Sequence, residues 1–232
     1  MTRNAHRLRL ACLTLILVCG GIFSAAFAGD WPQFRGPNRD GVWNERNVGR
    51  GLEKGRLAVL WRRPVGRGKA SPVIAEGRVF VTDSELKTPK AWERTLCFDA
   101  TDGRPKWEFN YEVEYPDWAF NPEHSGGPAA TPVVEAGRVY TVGGNGRVHC
   151  LNAETGEPVW SFDPGKEYTI RTLQCRPSPL IEGRLLIACL GARPGACVMA
   201  FDKNTGKKSG RLWMSPFPTV HPSSSRPAAR VS

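Results

Sequence analysis

The stretch Arg138–Trp160, RVYTVGGNGRVHCLNAETGEPVW, decides the fold of this chain. Arg138–Val142 and Arg147–Asn152 mix β-branched, aromatic and apolar residues, a composition that favours short β-strands. Between them, Gly-Gly-Asn-Gly at positions 143–146 predicts a hairpin turn built on positive φ angles. A second turn signal, Ala153–Gly156, precedes another extended segment. The stretch therefore predicts consecutive strands joined by tight turns.

The same pattern occurs three times along the chain. Its copies lie at Ser71–Phe109, Thr131–Phe162 and Ser178–Lys208, and each opens on a Ser-Pro or Thr-Pro pair. In the first copy, residues 84–94 are predicted to form a long loop between two strands. A repeat of roughly 45–60 residues with four strands is typical of a β-propeller. We predict an all-β fold, a partial β-propeller of about three four-stranded antiparallel blades, over residues 57–208.

Each copy ends on a tight turn with recurring residues. An Asp or Asn precedes the turn, a Gly closes it, and in two copies a Trp follows four residues after the Gly. These repeat-structural residues are Asp99, Asn152, Asp202, Gly103, Gly156, Gly206, Trp107 and Trp160. The acid or amide can accept a hydrogen bond from the backbone two residues on, and the indole can space neighbouring blades. A single blade cannot bury both faces, so we expect each blade to depend on its neighbours.

Residues 1–28 have the features of a secretory signal peptide. Three arginines precede the apolar run Leu10–Val18, and small residues near Ala28 offer a cleavage site. The alternatives are an uncleaved membrane anchor and a lipid attached at Cys19. We predict export to the periplasm or cell envelope, with at most a peripheral membrane contact. Loss of the three arginines lowers the formal net charge from +10 to +7.

The basic charge of the remaining chain raises the question of a nucleic-acid partner. Its densest cluster, Arg62, Arg63, Arg67 and Lys69, has no series of aromatic residues for stacking on bases. We interpret the cluster as a solvated strand edge, where charge also blocks aggregation. No nucleic-acid partner is predicted.

Five of the seven cysteines lie beyond the signal segment, so at least one is unpaired or forms an intermolecular bond. Cys97 and Cys150 occupy equivalent positions in successive copies, which favours small buried residues. Cys189 and Cys197 flank a predicted hairpin. They either form a disulfide across it or are packed thiols.

Two segments precede the first copy. Residues 29–56 are predicted to be an irregular segment. Its part Asp30–Trp43 is rich in Trp, Pro, Gly, Asn and Arg, and it either caps one face of the propeller or forms a binding loop. Leu57–Val65 predicts a lone strand, and its Trp61 is similar to the outer-strand tryptophans of the repeat. We expect this strand to close the ring by completing the last blade.

Residues 110–127 form the richest long loop, with aromatic and acidic side chains close together. The candidate binding residues in it are Tyr111, Tyr115, Trp118, Phe120 and His124. Long loops carry function more often than strands do. This loop could hold a sugar, a cation or a peptide, or it could simply cover the top of a blade.

Residues 209–232 depart from the repeat. Gly210 stands where a third tryptophan is expected, prolines and serines follow, and no acidic residue occurs after Lys203. We predict a disordered tail. Our hypothesis for the abrupt change is a truncated or frame-shifted coding sequence.

The copies resemble the repeats of pyrroloquinoline-quinone (PQQ) propellers. The resemblance rests on LCFDATDGRPKW at 96–107, HCLNAETGEPVW at 149–160 and MAFDKNTGKKSG at 199–210. The opening WPQFRGPNRDGV at 31–42 resembles exported quinoprotein-like propellers that are similar to the outer-membrane barrel-assembly lipoprotein. This implies a non-catalytic module for protein interaction or scaffolding, with other envelope proteins as partners. The alternative that it implies is part of a PQQ-dependent alcohol or sugar dehydrogenase.

A dehydrogenase would need a calcium ion, a catalytic Asp and residues that stack on the quinone. The adjacent cysteines that such family members often carry do not occur in this sequence, and a ring of eight blades needs about 400 residues. The sequence also contains no HExxH, CxxC or GxSxG motif. We therefore predict no catalytic residue and no metal site, and leave cofactor-binding residues unassigned. PQQ and calcium are expected only under the alternative.

Overall fold

The computed structural model describes residues 29–44, 59–123, 126–173 and 177–212. In them the chain forms twelve strands, arranged in three antiparallel sheets of four. The first sheet contains β1 Val73–Ala75, β2 Arg78–Lys87, β3 Lys90–Asp99 and β4 Pro105–Val113. The second contains β5 Val133–Glu135, β6 Arg138–Val142, β7 Val148–Asn152 and β8 Pro158–Phe162. The third contains β9 Leu180–Glu182, β10 Leu185–Ala192, β11 Ala196–Asp202 and β12 Lys208–Leu212.

Each sheet is a meander in which consecutive strands are neighbours. In the quoted stretch, β6 pairs with β7 from Arg138 opposite Asn152 to Val142 opposite Val148. Strand β7 pairs in turn with β8, with a bulge after Cys150. The prediction of an all-β chain built from four-stranded antiparallel units is confirmed.

Two apolar clusters hold the three sheets together. Between the first and second sheets, at what we call the first interface, lie Val73, Phe80, Cys97, Val134, Val139 and Leu151. Between the second and third sheets, at the second interface, lie Tyr140, Val142, Val148, Leu186, Met199 and Phe201. Alternate residues of β6 therefore face opposite sheets, as the two-residue period of a strand requires. Each fully buried apolar side chain stabilises the fold by about 1.5–3 kcal/mol.

A tryptophan from one sheet lies on a turn glycine of the next. The Trp107 indole packs on Gly156 and donates from Nε1 to the Ala153 carbonyl oxygen at 3.1 Å. Trp160 packs in the same way on Gly206 and donates to the Lys203 carbonyl oxygen at 2.9 Å. The glycines have φ angles of +77° and +71°, and an added Cβ would lie 2.6–2.7 Å from the indole ring. We call each such contact a tryptophan staple.

The last turn of each copy, which ends in Gly103, Gly156 or Gly206, is held by the acid or amide that precedes it. Asp99 accepts hydrogen bonds from the Thr101 hydroxyl and backbone N–H, and these bonds hold the pKa of its carboxyl below the usual range. Asn152 accepts from the Glu154 backbone N–H at 2.8 Å. Asp202 accepts from the Asn204 backbone N–H at 3.1 Å.

Three segments depart from what the sequence predicts. The predicted long loop at residues 84–94 is the hairpin of β2 and β3, in which Lys87 pairs with Lys90. Its polar and charged residues hide the strand pattern: those at the hairpin end, 87–90, are exposed and need no apolar side chain, and Glu93 is buried with its own hydrogen bonds. Strand β4 extends through Val113, into the predicted binding loop. Strand β12 extends to Leu212, past the predicted boundary at residue 208, since backbone pairing with β11 does not depend on the missing tryptophan. Residues 213–232 lie outside the described residues.

The irregular N-terminal segment runs along the free edges of the first strands. The backbone of Trp31 pairs with Ile74 on β1 through bonds of 2.7 and 3.1 Å. The Pro32 carbonyl oxygen accepts from the Val134 N–H on β5, and the Arg39 guanidinium donates to the Ile181 carbonyl oxygen on β9. One segment thus contacts an edge strand of all three sheets and blocks further strand pairing there.

The segment of the expected closing strand is described from residue 59 onward. Residues 59–65 are not in a strand. Trp61 nevertheless packs on Gly103 and donates from Nε1 to the Ala100 carbonyl oxygen at 3.0 Å, which repeats the tryptophan staple on the first sheet. Ring closure by this segment stays a prediction. The predicted signal peptide, residues 1–28, lies outside the described residues, and no described helix has the length and apolar character needed to cross a membrane.

Candidate functional site

A cavity of about 600 Å³ lies beside the loop that follows β4. The chain leaves the sheet at Val113 and, after Pro116, forms a short 3-10 helix, Asp117–Phe120. The segment before β9 supplies the opposite wall. The cavity is lined by Glu114, Tyr115, Pro116, Trp118, Arg171, Thr172 and Leu173.

The loop is anchored on Glu93, a buried carboxylate of β3. Glu93 is 2% exposed and accepts hydrogen bonds from the Tyr111 hydroxyl, the Tyr115 hydroxyl at 2.6 Å and the Gly144 N–H at 2.9 Å. Burial raises the pKa of the Glu93 carboxyl, and the three hydrogen bonds oppose that shift. Burial and the neighbouring Glu93 raise the pKa of both tyrosines, so both hydroxyls stay protonated and donate. The carboxylate therefore joins the loop, the first sheet and the second sheet.

Two glycines of the β6–β7 turn make this anchor possible. A Cβ on Gly143 would overlap the Tyr111 hydroxyl and the Glu93 carboxylate, and one on Gly144 would lie 2.7 Å from Leu173 Cδ2. Of the four turn residues predicted to have positive φ, Gly146 alone does, at 79°. The prediction is wrong for the other three. Gly143 and Gly144 are needed for close approach to Glu93 rather than for backbone freedom.

The wall opposite the loop is fixed to the same turn. The Leu173 N–H donates to the Gly144 carbonyl oxygen at 2.6 Å. Leu173 is 7% exposed and has a φ of 64°, a left-handed conformation that is strained for a leucine. Packing and this hydrogen bond hold it there. Both walls of the cavity are thus attached to the β6–β7 turn, one through Glu93 and the other through Leu173.

Arg147 and His149 lie behind Tyr111. The Arg147 guanidinium is 5.5 Å from the Tyr111 ring centroid and bonds to Asp163 at 3.1 Å. The His149 ring lies 4.6 Å from that of Tyr111 and 5.0 Å from that of Phe109. Burial, together with Arg147, lowers the pKa of His149 to about 4. His149 is therefore a neutral packing residue at neutral pH.

The structure separates the five candidate binding residues into different roles. Tyr111 lies on β4 and, like Tyr115, is fixed by Glu93. Trp118 is 46% exposed and lines the cavity. Phe120 is half-buried against an apolar cluster that includes Val113. His124 lies outside the described residues.

Sequence reasoning missed Glu93, Arg171 and Leu173. Glu93 falls in the charged stretch interpreted as a loop, and only the β2–β3 pairing register would have shown that it points inward. Arg171–Leu173 carries no pattern that marks it. The lining offers a half-exposed indole, a guanidinium and a carboxylate, which are groups that recognise a ligand. Among the described residues, no three His, Cys, Asp or Glu side chains converge as a metal site would require.

Comparison with known proteins shows which family this chain belongs to and which solved structures share its fold. A family model described as outer membrane protein assembly factor BamB matches residues 93–230. The quinohemoprotein alcohol dehydrogenase ADH-IIG of Pseudomonas putida is 26% identical over 174 residues, which are 70% of this chain and 22% of that protein. BamB of Alkalilimnicola ehrlichii is 51% identical over 39 residues, which are 17% of this chain and 10% of that protein.

Among solved structures, the quinohemoprotein alcohol dehydrogenase of Comamonas testosteroni superposes with a TM-score of 0.57 at 19% identity. The match covers 81% of this chain and 28% of that one. The likeness concerns the fold, and it confirms the predicted partial β-propeller. The chain spans under a quarter of the length of the first curated relatives that it matches.

Proposed function

Because this chain belongs to the family of outer membrane protein assembly factor BamB and consists of PQQ-like repeats, we propose that it is an exported, non-catalytic propeller module that binds other envelope proteins. One observation carries the proposal: Trp118, 46% exposed, lines a cavity of about 600 Å³ whose walls are held by hydrogen bonds to Glu93 and Gly144. The predicted signal peptide and the family name support the envelope as the compartment.

The chemistry of the cavity suits a protein segment as ligand. Tryptophan is the residue most enriched among energetically dominant contacts in protein interfaces. Arg171 and Glu114, on opposite walls, supply charges of both signs that orient a bound chain. Because Glu93 fixes the walls, little ordering entropy is lost when a partner binds.

The buried titratable groups favour a binding role over catalysis. All the hydrogen bonds of Glu93 hold its own chain together. Asp83 is paired with Arg94 through two bonds of 2.8 Å. His149 is enclosed between aromatic rings. A general base needs a proton of the substrate within reach. The carboxylates of Glu93 and Asp83 are occupied by structural hydrogen bonds. His149 is only 6% exposed, and although its Nδ1 has no hydrogen-bond partner among the described residues, its burial keeps the ring away from a bound substrate.

The proposal is tested by retention of envelope proteins on the immobilised full chain. We expect a detergent-solubilised envelope fraction to yield a partner that Trp118→Ala binds at least about tenfold more weakly. Trp43→Ala is the matched control, because Trp43 is 52% exposed and is not among the residues that line the cavity. Equal retention by Trp118→Ala and the unchanged chain would refute the role of the cavity.

A second candidate function is that of a PQQ-dependent dehydrogenase, favoured by the similarity to ADH-IIG over 70% of the chain. Among the described residues, no three His, Cys, Asp or Glu side chains converge, so no carboxylate-rich site for the required calcium ion is found in them. Titration of the full chain with PQQ and Ca²⁺, followed by tryptophan fluorescence, separates the candidates. Stoichiometric quinone uptake would favour the dehydrogenase over the module.

A further inference from the structure

The third sheet carries two cysteines side by side on its central hairpin. Cys189 on β10 pairs directly with Val198 on β11, and Cys197 is the next residue along β11. The register shifts between Cys189 and Ala192, so a bulge interrupts the strict alternation of side chains at this point. The Cys189 and Cys197 thiols are in hydrogen-bonding contact. Contact between two thiols on neighbouring strands is the arrangement from which a disulfide across the strands can form.

The setting of this pair differs from that of the other described cysteines. Cys97 and Cys150 are buried in the first and second interfaces, and burial raises their thiol pKa values to about 12 and about 11. Cys189 and Cys197 are partly exposed, so a reagent can reach them. Burial and the adjacent Cys189 thiol raise the pKa of Cys197, while the Gly191 N–H and Arg193 act in the opposite direction. Oxidation at neutral pH therefore proceeds through a minor thiolate fraction.

We propose that Cys189 and Cys197 form a disulfide across the β10–β11 hairpin by exchange with an external disulfide. One thiolate of the pair attacks a sulfur of the donor, which releases one donor thiolate and leaves a mixed disulfide. The second cysteine, after losing its proton, attacks the chain's sulfur in that bond and releases the other donor thiolate. Two cysteines of this chain are oxidised, and one donor disulfide is reduced to two thiols. The bond closes the hairpin at its bulge, where the ladder is interrupted.

The sequence allows a direct measurement. Arg193 is followed by Pro194, so trypsin leaves both cysteines in the single peptide 185–203. The full chain is incubated with oxidised glutathione, alkylated with iodoacetamide under denaturing conditions and digested. We expect this peptide to carry no alkyl group and to be two hydrogens lighter than its reduced form, with reversal by dithiothreitol. Two alkyl groups, two glutathione adducts or a link to Cys175 would overturn the proposal.

A variant and a second measurement test whether the two cysteines react with each other or each reacts separately with glutathione. With Cys197→Ser, we expect Cys189 to retain one glutathione, because no second thiol resolves the mixed disulfide. The unchanged chain should gain roughly 5 °C in melting temperature on oxidation, since the bond constrains the unfolded chain, whereas Cys197→Ser should not. Cys150→Ser is the matched control and should still form the lighter peptide. An equal thermal response of the unchanged chain and Cys197→Ser would contradict the proposal.

Discussion

The two interfaces between sheets share one device and differ in their chemistry. Each has a tryptophan staple, Trp107 on Gly156 at the first and Trp160 on Gly206 at the second. The first interface also contains the buried Glu93 and His149, whereas no buried carboxylate or imidazole of the described residues lies in the apolar cluster of the second, whose buried polar groups are the Tyr140 hydroxyl and the Cys150 thiol. The repeated residues thus supply the tryptophan staples that join neighbouring sheets. Glu93, which is not part of the repeat, adds the hydrogen bonds that hold the loop beside the cavity; we call these hydrogen bonds the polar anchor.

The largest expected effect follows from removing either staple. Trp107→Ala and Trp160→Ala should each lower the free energy of unfolding by about 3–4 kcal/mol, because each loses apolar packing and the Nε1 hydrogen bond. Urea denaturation followed by circular dichroism measures both. Trp118→Ala is the control and should change stability by less than about 1 kcal/mol, since Trp118 is 46% exposed. A large loss for only one of the two staples would contradict their equivalence.

The next expected effect is on how the free energy of unfolding depends on pH, and it distinguishes the first interface from the second. His149 has a folded-state pKa of about 4, below its ordinary 6.5, so the unfolded chain binds the proton more tightly. The neutral histidine stabilises the fold fully above pH 6.5, and this stability is lost as the pH falls toward 4, by up to about 3 kcal/mol. The raised pKa of Glu93 has the opposite sign, since it favours the fold at low pH and its contribution is lost as the pH rises.

The His149 contribution is isolated by a variant. The difference in unfolding free energy between His149→Phe and the unchanged chain, measured from pH 7 to 4, cancels the Glu93 contribution. We expect His149→Phe to lose less stability on acidification. Tyr140→Phe, at the second interface, should keep the slope of the unchanged chain, because burial raises the pKa of Tyr140 well above its usual range and the hydroxyl stays neutral from pH 7 to 4. Parallel curves for His149→Phe and the unchanged chain would show that His149 does not set this difference.

A smaller effect tests the glycine side of the staple. Gly156 and Gly137 both have positive φ, +77° and +70°, but an added Cβ meets the Trp107 ring at 2.6 Å only at Gly156. Gly137→Ala should cost about 1 kcal/mol for its backbone conformation. Gly156→Ala should cost roughly 2 kcal/mol more, because the indole must shift. Equal losses for both alanines in thermal or urea unfolding would mean that the ring yields without cost.

The sequence predicts the sheets and the turns that receive the tryptophan staples better than it predicts the residues that form the cavity. The repeated spacing of Gly, Trp and Asp or Asn predicts the sheets because the same backbone geometry recurs in each copy. Glu93 occurs once, in a charged stretch, and its burial follows from a hairpin that brings β3 against Tyr111 and Gly144. Leu173 is held by its packing in an apolar cluster and by a hydrogen bond to Gly144, which is distant in the sequence. Such non-repeated, long-range contacts leave no periodic trace in a single sequence.

The smallest expected effect on stability comes from changing Glu93, and it tests whether Glu93 holds the loop rather than the packing of the sheets. Glu93→Gln keeps an acceptor for the Gly144 N–H, and it should cost only about 1 kcal/mol, because the raised pKa of Glu93 shows that burial already disfavours its charge. The loop should loosen more than the fold, since a Gln side chain has one acceptor oxygen for the three donors that Glu93 now receives. We expect faster amide hydrogen exchange in residues 114–120, with the second interface unchanged. Glu135→Gln, which breaks an ion pair with Lys203 at the second interface, is the matched control and should leave the loop unaffected. If the two variants changed exchange in the loop equally, Glu93 would not be its anchor.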